Sequence, residues 1–151
     1  MRYRILCSLL AVAATACSDP AGPDATCALG PVLGIPTFDL VGSLRIAGAT
    51  VEDLGTALDL KTDGPPTRVL RVDGHDMTLL EYGCPAEAAE YVGRFSADAS
   101  TYEGVPLTWD ATPHIYLRAQ AVATYQGDDA DLLALMRDVM GDPVREGQSP
   151  A

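Results

Sequence analysis

Two β-rich runs, Thr67 to Val72 and Met77 to Tyr82, meet at Asp73-Gly74. A dipeptide of this type accepts the positive φ angles of a tight hairpin turn, so the two runs are committed to antiparallel pairing. Directly behind them, Cys84-Pro85-Ala86-Glu87 opens a helix with Pro in its first turn, and Ala88, Tyr91, Val92 and Phe95 supply its apolar face. A hairpin running straight into a helix is therefore the unit around which the chain must fold.

The same order returns downstream. His114 to Leu117 and Ala121 to Gln126 pair across Arg118-Ala119-Gln120, and Asp128 caps a last helix with Asp131 in its first turn. Leu132, Leu135, Met136 and Val139 face inward, and Gly141 with Pro143 ends the helix. Upstream, Thr37 caps a helix with a Leu40, Val41, Leu44 and Ala47 stripe that stops at Gly48, followed by a strand from Ala49 to Leu54. The stretch through Lys61 to Pro66 is loop, with an edge strand near Leu58 to Leu60, and Val105 to Trp109 alternates as a half-buried strand does. These elements predict an α+β fold: a mostly antiparallel sheet with about three helices packed on one face, and a two-fold hairpin–helix repeat.

Ahead of this body lies an address. Arg2 and Arg4 form a positive n-region, and Ile5 to Ala14 is an apolar run too short to span a bilayer. Ala14-Thr15-Ala16-Cys17 then resembles the bacterial lipobox, with Ala14 where that pattern prefers Leu. The resemblance implies cleavage before Cys17 and a diacylglyceryl group on its sulfur, and two or more acyl chains suffice for stable anchoring. Ser18, in place of the Asp that retains lipoproteins in the inner membrane, favours the outer membrane if the cell is Gram-negative. The predicted organisation is a lipoprotein signal peptide over residues 1–16, lipidated Cys17 and a tether over 17–26, one α+β domain over 27–141, and a disordered tail over 142–151. The domain then sits in the cell envelope, facing the periplasm or the outside.

The address also fixes the cysteine count. Cys7 leaves with the leader and Cys17 is lipidated, so Cys27 and Cys84 remain in an oxidising compartment. A bridge between them closes a loop of roughly sixty residues and stabilises by about 4 kcal/mol on the chain-entropy account. The alternative is a reactive Cys84 thiol at a helix start, for which no nearby His or second Cys completes a redox motif. The net charge is −11, and losing Arg2 and Arg4 makes it −13. Nucleic acid is thereby not expected as a partner, because two polyanions repel.

Leu79-Leu80-Glu81-Tyr82, Val105-Pro106-Leu107-Thr108-Trp109, Pro113-His114-Ile115-Tyr116 and Val122-Ala123-Thr124-Tyr125-Gln126-Gly127-Asp128 together resemble a group of small bacterial lipoproteins of unknown function. Leu44 to Glu52 matches the group's upstream piece, so the likeness covers about residues 38 to 141. Ala119-Gln120 departs from it, since the group often has Ala-Gly there. The resemblance implies an anchor and domain limits, and no activity.

Chemistry is sparse. His75 lies beside Asp73 and Asp76, but a hairpin tip is polar anyway and no second ligand stands at metal spacing, so no metal and no cofactor is expected. The Asp128-Asp129-Ala130-Asp131 cluster lacks the Gly and distal Glu of a calcium loop. No nucleophile elbow surrounds Ser43, Ser96 or Ser100. Glu81 either is buried as a functional acid or pairs with Arg71 across the hairpin, and His114 either buttresses a strand or serves as a base. The leading expectation is a lipid-anchored, non-catalytic binding or interaction domain, with its site near His114, Tyr116 and Trp109 and an envelope protein or small ligand as partner. The alternative is an envelope enzyme using His114 or Glu81 as general base.

Overall fold

The structure, a computed structural model, describes residues 38–57 and 64–148. Its largest element is a six-stranded sheet built from β1 (Val51–Thr56), β2 (Arg68–Val72), β3 (His75–Glu81), β6 (Pro113–Arg118), β7 (Ala121–Gln126) and β8 (Arg145–Glu146). The strand order is β1-β2-β3-β7-β6-β8, and every neighbouring pair is antiparallel. Among the described residues three helices accompany it: α1 (Leu40–Ile46), α2 (Pro85–Gly93) and α3 (Ala130–Met140). A small separate hairpin, β4 (Thr101–Tyr102) with β5 (Val105–Pro106), follows α2. The fold is α+β with a mostly antiparallel sheet.

Both hairpins form where the sequence places them. Asp73 and Gly74 adopt φ of 49° and 91°, and Val72 pairs with His75 directly across the turn. In the second hairpin Ala119 takes φ 51°, a conformation a Cβ-bearing residue adopts at some cost. At α1 the cap is Asp39, whose carboxylate accepts from Gly42 N–H at 2.9 Å; Thr37 lies outside the described residues, as does the predicted strand at 58–60. Asp129, one residue later than expected, caps α3 by accepting from Leu132 N–H at 2.9 Å.

The helices do not share one face. Side chains alternate across a sheet, and adjacent positions separate cleanly here: Leu79 belongs to one apolar cluster and Leu80 to another. Leu40 and Leu44 of α1 and Leu132, Met136 and Val139 of α3 bury against Leu70, Met77, Leu79, Tyr116, Ala123 and Tyr125. Ala88 and Val92 of α2 and Phe95 cover the opposite side, against Leu80, Ile115 and Val122. The sheet is thus covered from two sides, and the expectation of one-sided helices is corrected.

The two-fold repeat is corrected with it. A two-fold axis relating antiparallel β3 and β7 stands perpendicular to the sheet and would carry α2 and α3 onto the same side. They lie on opposite sides, and the matched tyrosines follow them: Tyr125 is in the α3 cluster, Tyr82 against the α2 cluster. The hairpin–helix order repeats; the geometry does not.

Two further expectations fail. The run Val105 to Trp109 is no strand of the main sheet: only Val105–Pro106 pairs, with both residues exposed, because Glu103-Gly104 turns the chain back on Thr101–Tyr102. The tail from residue 142 is partly ordered, since Arg145–Glu146 forms β8 on the edge of β6. Val144 N–H donates to Ile115 C=O at 2.8 Å and Gly147 N–H to Pro113 C=O at 2.9 Å, fastening the segment on either side.

Candidate functional site

The expected site does not assemble. His114 and Tyr116 point to the α3 side of β6, while Trp109 packs against the α2 cluster on the other side of the sheet. Trp109 is held by its indole N–H, which donates to Ala99 C=O at 2.7 Å. His114 is 2% exposed and stacks on Tyr125 with ring centroids 6.2 Å apart. Glu146 of β8 brings a carboxylate oxygen 3.3 Å from His114 Nδ1, yet neither ring nitrogen makes an aligned hydrogen bond, and the hydroxyl of fully buried Tyr116 has none either. Burial pushes the Tyr116 phenol above its ordinary pKa. His114 and Tyr116 are thus interior structure rather than a surface offered to a ligand, and Trp109 is half-buried against the other face.

Glu81 is likewise elsewhere than expected. It is exposed and pairs with Arg68 at 2.8 Å, and Arg68 also holds Asp53 at 2.6 Å. Arg71 pairs instead with Asp76 at 2.7 Å, its direct neighbour across the hairpin. The Arg68 guanidinium pulls the Asp53 carboxyl below its usual range. Cys84 is buried at the start of α2, and its expected partner, Cys27, lies outside the described residues.

A different place collects polar groups around open space. A cleft of about 380 Å³ lies between the end of α1, the β2–β3 turn and the start of α3. Asp73, His75, Asp129 and Asp131 line it together with Ala47, Gly48, Ala49, Leu132 and Leu135. Each element is locally determined. Gly48, at φ 97°, lets the chain leave α1 sharply; the Asp73 carboxylate accepts from Thr50 N–H at 2.8 Å and ties the hairpin turn to the strand that follows. The cap at Asp129 fixes where α3 begins. His75 Nε2 stands 3.6 Å from an Asp129 oxygen, and the His75 ring meets Tyr125 edge-on at 6.1 Å.

This volume suits a small molecule, and its lining mixes apolar side chains with a few polar ones, as such sites do. Three carboxylates beside one imidazole favour a positive group. Among the described residues no three His, Cys, Asp or Glu side chains converge as metal ligands. No helix among them is long and apolar enough to cross a membrane. The sequence named His75 and the Asp128–Asp131 cluster as separate curiosities; only the fold brings residues 47–49, 73–75 and 129–135 together.

No protein-family model, curated protein or solved structure matches the chain.

Proposed function

We propose that the chain is a lipid-anchored protein of the cell envelope whose domain is a non-catalytic binding module, and that its cleft takes a small organic cation with an apolar body. The observation that carries this is the composition of the cleft, with Asp73, Asp129 and Asp131 lining about 380 Å³ together with the apolar Ala47, Ala49, Leu132 and Leu135. A net charge of −11 raises the local concentration of cations around it. The competing enzyme reading is weakened by the two residues it depends on. His114 is sealed at 2% exposure and Glu81 is engaged by Arg68, and neither lines the cleft.

The anchor rests on Cys17 and its flanking residues, together with the resemblance to small lipoproteins. The fold is consistent with the proposed Cys27–Cys84 bridge. Gln120 Nε2 donates to Phe38 C=O at 3.4 Å and Tyr82 N–H donates to Gln120 C=O at 2.9 Å. Phe38 and the segment leading to Cys84 therefore border one turn, and Cys27 is eleven residues upstream of Phe38 in sequence. That turn is at the end of the sheet opposite the cleft, so a domain tethered there presents the cleft away from the membrane.

Calorimetric titration of the full chain with hexylamine, hexanoate and hexanol tests the cleft. Saturable binding of hexylamine alone, weakened several-fold by Asp131→Asn, is the expected result; equal binding of hexanoate, or none of hexylamine, refutes the site. Palmitate incorporation that persists in Cys17→Ala refutes the anchor, and free thiols in the denatured, unreduced protein refute the bridge.

A further inference from the structure

Along the edge of β6 the chain binds a piece of itself. Val144 N–H donates to Ile115 C=O at 2.8 Å and Gly147 N–H to Pro113 C=O at 2.9 Å; between them Arg145 pairs with Ile115 and Glu146 with His114. Three of these four positions are individually fitted. Arg145 Nε donates to Phe95 C=O at 3.4 Å, a Glu146 carboxylate oxygen stands 3.3 Å from His114 Nδ1, and Gly147 lies so close on the Pro113 ring that a Cβ would overlap it. What holds the segment is polar and shallow. None of residues 142–148 is buried, whereas α3, just before them, sinks Leu132, Met136, Val139 and Met140 into the core. Gly141, at φ 90°, ends that helix, and Asp142 and Pro143 complete the connection. With so little apolar area covered, the segment opens at a far lower free energy than the sheet behind it. Its seat also carries a cost. Beside Glu146, the His114 side chain is 2% exposed and neither ring nitrogen has a hydrogen-bond partner, so lifting the segment admits water to them and relieves that cost.

We infer that the β6 edge is a strand-acceptor site which residues 144–147 close in cis, and that when they lift it takes the same segment of a second copy of this chain. At such an edge the main-chain bonds of an added strand supply affinity and the side-chain seats supply the choice. Here the seats ask for an acidic residue opposite His114 and a glycine on Pro113, the order in which Glu146 and Gly147 stand. Exchange of identical segments remakes the same contacts between two copies, so the dimer needs no new surface. The short connection through Gly141, Asp142 and Pro143 gives the chain's own segment a high effective concentration, and the site stays closed until that segment is weakened or copies are crowded. None of these residues lines the cleft.

Two measurements on the full chain test this. In the unaltered protein the Val144 and Gly147 amides should exchange with deuterium about a hundredfold faster than amides of the β3–β7 ladder. Exchange of these two only through global unfolding overturns the detachable segment. The second measurement uses Gly147→Ala, which drives a methyl into the Pro113 ring and loosens the closure in cis. Isotope-labelled and titrated with a synthetic peptide spanning Asp142–Gln148, this variant should show saturable NMR shifts at His114 and Ile115, larger than those of the unaltered chain. A peptide carrying the same Ala substitution should bind about tenfold more weakly. No saturable shift along β6 overturns the acceptor site, and equal binding of a scrambled peptide overturns the second copy as its occupant.

Discussion

Replacing Tyr116 by Phe removes one oxygen atom from the largest fully buried side chain in the core, and that oxygen makes no hydrogen bond. A buried polar group left unpaired costs about 1–3 kcal/mol, which the native fold carries and the variant does not. Against this stands the void left by the hydroxyl. At on the order of 10 Å³ and about 24 cal/mol per Å³ it costs about 0.2 kcal/mol, so the stabilising effect wins. Tyr116→Phe is therefore expected to gain about 1 kcal/mol, raising Tm by about 4–8 °C and the urea midpoint by nearly 1 M with the slope unchanged. Urea unfolding of the full chain at neutral pH, followed by circular dichroism, reads this directly. A loss of about 1 kcal/mol instead, the usual cost of deleting a bonded hydroxyl, refutes the reasoning and shows that Tyr116 Oη has a partner in solution.

Two other substitutions probe the frame around the cleft and the opposite face. Gly127→Ala drives a methyl into the Tyr125 hydroxyl and ring at a backbone φ of 151°, so a loss of about 2–3 kcal/mol is expected in urea unfolding, and a neutral result refutes the close packing of that turn. Asp98 has its carboxyl held down to about 2, chiefly by the Ser96 and Ser100 hydroxyls. A folded pKa below the unfolded one contributes stability that is present above the unfolded value near 4 and lost as pH falls through 2. Asp98→Asn should therefore lower Tm at pH 7, with the gap to the unaltered protein closing between pH 4 and pH 2; a gap that stays constant to pH 2 refutes the assignment.

The hairpins and helices were legible because their signals are local. Asp73-Gly74 names its turn, Pro85 its helix start, and Gly141 its helix end. The sidedness of α2 and α3 was not, because β3 and β7 are central strands buried on both faces, and a run such as Ala121-Val122-Ala123 has no polar alternation to betray which side is which. Val105 to Trp109 shows the opposite error. Its alternation is real, but Pro106 lacks an N–H, and the turn at Glu103-Gly104 gives the run a two-residue partner instead of the sheet. For the site, His114, Tyr116 and Trp109 stood out by residue type, yet strand parity and the excursion after α2 send them to opposite faces. The cleft was invisible for a plainer reason: its residues span 47 to 135, and no sequence pattern marks the meeting of a helix end, a turn and a helix start.

The central ladder also sets how the chain must fold. Within the first hairpin paired residues lie 3 to 11 positions apart, from Val72 with His75 to Arg68 with Leu79. The β3–β7 ladder joins residues 40 to 48 positions apart, from Glu81 with Ala121 to Met77 with Tyr125. It is the one ladder of the six-stranded sheet that unites the two hairpins. Each hairpin can close within microseconds on local contacts alone, whereas the seam between them must order the whole of α2 and the β4–β5 excursion as a loop. Docking of the two hairpins along β3 and β7 is therefore the expected slow step, and Leu79→Ala and Ala123→Gly at that seam should slow folding more than they speed unfolding, which stopped-flow folding and unfolding rates in urea would read.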